Sequence, residues 1–236
     1  MDTLTRSEVE LVKRNAYRGK ADAQWMLGYW YEAGVADVSG SVLLAANAKK
    51  ALHWHLAAAE QGHTSAQAAA SRLLSGADGI APKFDQALAW GKRATAQGDS
   101  SAAFNLGTMY RDLGNLGRAF LWYQRAARMG ASDAWLQQGL CFLFGLGVSR
   151  DAGEARSAFT RVVDADPSTT FPRSREDALY WLAIMDLLGG RHTKRSLARI
   201  RQRLEAANID EDHEQANVLL NLIGKTRYLS NRKVRS

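Results

Sequence analysis

Three of the five histidines fall in the stretch ALHWHLAAAEQGHTSAQ, residues 51–67, where His53, His55 and His63 surround Trp54. Clustered imidazoles raise the question of a metal centre. The spacing speaks against one. His53 and His55 are two apart and leave a helix on different sides, whereas two ligands for one ion need a separation of three or four. His63 lies beyond Gly62, which ends the helix. Cys141, the one cysteine, sits in the apolar GLCFLFG, a setting for a buried thiol rather than an activated one. The GKT from Gly224 to Thr226 resembles the end of a phosphate-binding loop, yet the earlier glycine falls at Leu219 and no strand precedes it. HExxH, GxSxG and paired-cysteine spacings are absent from the sequence. These residues predict no metal, no cofactor and no catalytic centre, so the chain is expected not to be an enzyme.

The same histidines have a second reading, as parts of a repeat. From Trp54, offsets of four, five and eight reach Ala58, Ala59 and Gly62. From Trp90 they reach Ala94, Thr95 and Gly98, and from Trp122 they reach Ala126, Ala127 and Gly130. A weaker copy runs from Ala158 through Val162 and Val163 to Asp166. His55 then occupies the position that Tyr123 holds in the later copy, which predicts a ring packed between helices. A partner helix repeats as well: Leu27, Gly28 and Tyr31 recur as Leu106, Gly107 and Tyr110, and as Gln138, Gly139 and Phe142, with a degenerate copy at Ala70, Ser71 and Leu74. Small residues at these sites let helices approach closely while aromatics fill the space between pairs.

This LG..Y..G and A..WY..AA..G pattern resembles the Sel-one-like repeat family, a branch of the tetratricopeptide superfamily. Gly145, Gly147, Val148 and Asp151 match the family's inter-helix loop. The resemblance implies an all-α fold, a right-handed α/α solenoid of about five antiparallel helix pairs with capping helices. Its expected organisation is an N-terminal cap over residues 1–20, four repeats over 21–166, a linker and divergent fifth pair over 167–207, and a capping helix with a basic tail over 208–236. In place of the inter-helix loop, the first copy carries seven extra residues, and the Leu and Ala content of SVLLAANAKK predicts that the second helix extends backwards from a cap at Ser41. An ordered loop reaching over the groove is the alternative.

The resemblance also implies where a partner docks, since the first helix of each pair lines the concave surface in such arrays. The matching positions are Trp25, Tyr29 and Glu32; Arg72; Phe104, Thr108, Arg111 and Asp112; Leu136; and Tyr180. Leu140, Leu143 and Phe144 extend the Leu136 patch, which either seats a partner or folds against the chain's own C-terminal helices. A second candidate is a basic ridge. Between Gly189 and Ser236 stand eleven Lys or Arg against five Asp or Glu, most of the chain's net charge of +7. Arg191, Arg195, Arg199 and Arg203 recur every fourth residue there, opposite Leu197, Ile200 and Leu204. Such a ridge is either a solvated helix face or a clamp for carboxylates or phosphates.

One cysteine, no apolar leader and no stretch of the roughly 18 apolar residues that span a bilayer predict a cytoplasmic protein without membrane contact. Three functions fit these features. The first is a non-catalytic bacterial adaptor or scaffold that binds a protein or peptide in its groove. The second is an immunity or inhibitor protein that neutralises a toxin effector by direct binding. The third is a regulator that meets nucleic acid through its basic C-terminal region.

Overall fold

The computed structural model describes residues 4–166, 168, 170–189 and 194–207. The predicted terminal capping helix and basic tail lie outside the described residues. Eleven helices are described: α1 (Arg6–Tyr17), α2 (Ala21–Ala33), α3 (Ala48–Glu60), α4 (Thr64–Leu74), α5 (Phe84–Ala96), α6 (Ser100–Asp112), α7 (Leu116–Arg128), α8 (Asp133–Phe144), α9 (Ala152–Asp164), α10 (Pro172–Leu188) and α11 (Lys194–Ala207). Between α2 and α3 lie two short strands, β1 (Val35–Ala36) and β2 (Val42–Leu44). The fold is an all-α solenoid of helix pairs. Two compact units divide it, one ending at Met129 and the other beginning at Gly130.

Six of the helices, α1, α3, α4, α6, α7 and α9, start where a side chain supplies an acceptor for orphan amides of the first turn. Thr5 and Glu8 close a capping box at α1. Asn47, Asp99, Asn115 and Asp151 cap α3, α6, α7 and α9 at distances of 2.9, 2.8, 3.2 and 2.9 Å to the amides of Lys50, Ala102, Arg118 and Glu154. The repeated small residues are the buried ones: Ala51, Ala58, Ala87, Ala94, Ala119, Ala126 and Ala155 are all essentially inaccessible.

Close approach is strictest at one position that recurs in three of the pairs. A Cβ on Gly28 of α2 would stand 2.7 Å from the His55 ring of α3, and one on Gly107 of α6 would stand 2.6 Å from the Tyr123 ring of α7. Gly139 of α8 faces the Phe159 ring of α9 in the same way. A glycine and a ring share one volume, and neither tolerates growth of the other. The α4·α5 pair reverses the arrangement. Ser71 stands at the glycine position and Gly91 at the ring position, with Ser71 Oγ donating to the Ala87 carbonyl at 2.8 Å.

Buried glutamines tie consecutive pairs of the first unit. Gln61 Nε2 donates to Gln24 Oε1 (2.6 Å), and Gln24 Nε2 donates back to the Ala16 carbonyl (3.2 Å). One repeat later, Gln97 Nε2 donates to Gln67 Oε1 (2.8 Å) and Gln67 Nε2 to the Ala59 carbonyl (3.2 Å). Buried amides with both ends satisfied fix the spacing of the helices they join.

The predicted backward extension of α3 does not occur. Residues 42–44 pair antiparallel with 35–36 instead, and α3 begins only at Ala48, capped by Asn47 rather than Ser41. The cause is turn chemistry. Asp37 Oδ1 accepts from the Ser39 and Ser41 amides (2.8 and 2.9 Å) and from the Ser39 hydroxyl (2.6 Å), and Gly40 takes φ 81°. Leu44 then drops into a core with Val9, Ala16, Leu27, Trp30 and Trp54.

In the second unit, Leu136, Phe159, Val162, Leu182 and Met185 form the core. Helix α10 packs on α11, with Ala183, Ile200 and Leu204 between them.

Candidate protein-docking face on the first helices

The residues expected to line a groove fall into three clusters on the first unit. At α2, the Trp25 ring is half-buried over Ala58, Ala59 and Ala66, and it stacks on Tyr29 (6.4 Å) and on His63 (5.2 Å). Tyr29 is 57% exposed. His63 is held from two sides, since its Nδ1 accepts from the Ala66 amide (3.3 Å) and its Nε2 lies 3.5 Å from the Asp22 carboxylate. It therefore serves as the cap of α4 and as a wall for Trp25.

The second cluster is a chain of charges. Glu32 Oε1 lies 2.6 Å from His55 Nε2, and its other oxygen pairs with Arg72, whose remaining nitrogen reaches Asp78 at 3.0 Å. A carboxylate only accepts, so the tautomer with hydrogen on Nε2 is the one that bonds. His55 Nδ1 then faces Gly28 with no partner among the described residues. Glu32 is mostly shielded, 19% exposed, and its carboxylate holds Arg72. Arg72 remains 38% exposed. Asp78 was not indicated by the helical pattern. It sits in the SGADG loop at φ 53°, six residues past Arg72.

The third cluster belongs to α6. Phe104 tilts against Tyr123 (5.6 Å), and Thr108 Oγ1 lies 3.4 Å from the Tyr123 hydroxyl and donates to the Phe104 carbonyl. Arg111 and Asp112 form an exposed pair at 2.9 Å.

Two expected contact residues of the second unit are placed differently. Leu136 is 5% exposed because α9 and α10 bring Phe159, Leu182 and Met185 over it, so it is a core residue and not a docking residue. Tyr180 is half-buried, edge-on to Trp181 at 5.3 Å and packed by Ala183, Ile200 and Leu204, and burial raises its phenol above the ordinary value of 10.0. Phe144 remains 49% exposed. The basic ridge is shortened at its C-terminal end: Arg203 is paired with Asp186 of α10, which also binds Arg156 at 2.6 Å. Arg195 and Arg199 are exposed, and Arg191 lies outside the described residues. Among the described residues no group of three or more His, Cys, Asp or Glu could hold a metal, and no helix is long and apolar enough to cross a membrane.

Comparison with known proteins agrees with this geometry. Chitin synthase regulatory factor 4 of Schizosaccharomyces pombe is 33% identical over 120 residues, which is 50% of this chain and 18% of that protein. The ERAD-associated E3 ubiquitin-protein ligase component HRD3 of Candida glabrata is 29% identical over 142 residues, 56% of this chain and 17% of that protein. The chain thus spans less than a fifth of the length of these curated relatives. Among solved structures, a protective antigen of uropathogenic Escherichia coli displaying an SLR fold superposes with a TM-score of 0.75 and 26% identity, covering 92% of this chain and 44% of that one. A Sel1 repeat protein from Oxalobacter formigenes gives 0.66 and 24%, covering 86% and 75%. The Sel1 repeat itself matches residues 21–63, 64–99, 100–130 and 139–157, more than half of the sequence, and the chain belongs to the Sel1 repeat family.

Proposed function

We propose that this chain is a non-catalytic interaction scaffold that seats a polypeptide partner on the first helices of its N-terminal unit, α2, α4 and α6. The observation that carries the reading is the Tyr29, Arg72 and Phe104 series. Each comes from a different repeat, and each is held by residues of its own unit: Tyr29 by Trp25, Arg72 by Glu32 and Asp78, Phe104 by Tyr123. Side chains locked before binding lose less entropy when a partner arrives. Tyr and Arg are the residue types that most often dominate such contacts. The two curated relatives are named as a regulatory factor and as a ligase component, roles that fit a module working through association.

The test is affinity capture from the native cell with the full chain and with Tyr29→Ala and Arg111→Glu. A specific partner should be retained by the wild type and lost from both variants while circular dichroism stays unchanged. Retention by both would end the proposal. An inhibitor of a toxin effector would use the same face, and it is separated from an adaptor by whether the captured protein loses a toxic activity on binding. A nucleic-acid regulator finds less support, since Arg203 of the ridge is already paired with Asp186.

A further inference from the structure

The second helices of the first unit carry a charge distribution that its first helices lack. Helices α3, α5 and α7 hold seven Lys or Arg against two Asp or Glu, whereas α2, α4 and α6 hold two against three. Pairing differs as sharply. Arg72 and Arg111 on the first helices each have a carboxylate partner. Among the described residues, Arg93, Arg118, Arg125 and Arg128 have none. They are engaged instead by neutral groups: Arg93 lies over Trp90 (4.6 Å), Arg118 over Tyr110 (5.6 Å), Arg125 over Trp122 (5.3 Å), and Arg128 reaches the Gln124 carbonyl (3.4 Å).

Trp90 and Trp122 pack against one cluster formed by Leu74, Ala87, Leu106 and Met109, so both stacked guanidiniums stand over rings that close the same core. Arg93 and Arg125 also occupy the same repeat position, three residues after the tryptophan. On α7, Arg118, Leu121, Arg125 and Arg128 share one helix face by their spacing. Leu121 at the centre of that stripe is 59% exposed. A guanidinium stacked on a ring keeps its edge donors free for a planar carboxylate, and its charge stays uncompensated.

We propose that this α5·α7 face is a second docking surface, and that its occupant is an acidic amphipathic polypeptide segment. Its carboxylates would fork onto Arg93, Arg125 and Arg128, and an apolar side chain would cover Leu121. The same stacking disfavours single-stranded nucleic acid as the occupant. Such ligands bind largely by laying bases on open aromatic faces, and here the faces of Trp90 and Trp122 are covered by the protein's own guanidiniums.

The test uses the full chain and a short fluorescein-labelled peptide in which glutamates flank two leucines, with an oligothymidylate as the competing probe, both followed by anisotropy at low salt. Peptide binding should weaken by about tenfold or more in Arg125→Glu/Arg128→Glu and by roughly threefold in Leu121→Ser, and it should weaken steadily as salt rises. Arg111→Glu, on the first-helix face, should leave it unchanged, which keeps this surface distinct from the one proposed above. Arg125→Gln/Arg128→Gln with intact circular dichroism repeats the measurement without reversed charge. Absence of peptide binding to the wild type, or full binding by both double variants, would overturn the proposal. So would tighter binding of the oligothymidylate that the same substitutions abolish, because the surface would then be a phosphate site.

Discussion

Replacing Gly107 by Ala sets two effects of opposite sign against each other. In the middle of an unconstrained helix the change stabilises by about 1 kcal/mol. Here the added Cβ meets the Tyr123 ring 2.6 Å away, and overpacking of this kind costs about 1–3 kcal/mol. Gly107→Ala should therefore destabilise in urea unfolding, and Tyr123→Leu in the same chain should recover part of the loss, a coupling that isolated substitutions would not show. His55 permits a related test. Phe in its place fills the volume over Gly28 but removes the donor to Glu32, so His55→Phe should cost about 1–3 kcal/mol. Much of this was legible: the repeat offsets marked the glycines as points of close approach and assigned His55 to packing rather than to a metal. The exchange of Ser71 for glycine and Gly91 for a ring was also written in the sequence. It was hidden because that copy of the first helix looked merely degenerate.

At the scale of the element, the hairpin between α2 and α3 is held by Leu44 and by Asp37. Leu44 is 6% exposed in the core with Val9, Leu27 and Trp54, so Leu44→Ala should destabilise by about 2–5 kcal/mol in thermal or denaturant unfolding. Asp37 acts through charge. The Ser39 hydroxyl and the Ser41 and Ser39 amides hold its carboxyl below the ordinary value of 3.8. A lowered folded-state value means that the turn is supported above that ordinary value and loses support as pH falls through the folded one. Amide exchange at Ser39 and Ser41, after correction for intrinsic rates, should be slow above pH 3.8 and quicken below it; Asp37→Ala should remove the pH dependence. The backward helix predicted for SVLLAANAKK rested on the propensity of Leu and Ala. Propensity is a weak prior, and the D-V-S-G-S turn just before it overrode it. Leu136 failed for a related reason. Its position was carried over from α2 and α6 by repeat register, and register carries no information about α10, the helix that covers it.

At the scale of the molecule, each unit has a core of its own. Leu182→Ala should lower amide protection by about 2–5 kcal/mol across α8 to α10, and protection in α2 to α6 should hold, as a sum of local and neighbour terms requires. Charge was the least legible feature at this scale. Counting residues pointed to the C-terminal basic ridge, but opposite charges there meet: Arg203 with Asp186, and Arg201 with Glu205 at 2.7 Å. On α5 and α7, Arg93, Arg118, Arg125 and Arg128 meet no carboxylate among the described residues, and only their three-dimensional neighbours reveal it. The shared volume inside each helix pair carries one more consequence, for anyone who would recombine this array. A chimaera that joins α4 to α7 would drive the Ser71 side chain into the Tyr123 ring, and one that joins α6 to α5 would set glycine against glycine and leave a hole. Whole hairpins can be transplanted as cassettes; half-hairpins cannot, so the smallest interchangeable part of this protein is the helix pair and not the helix.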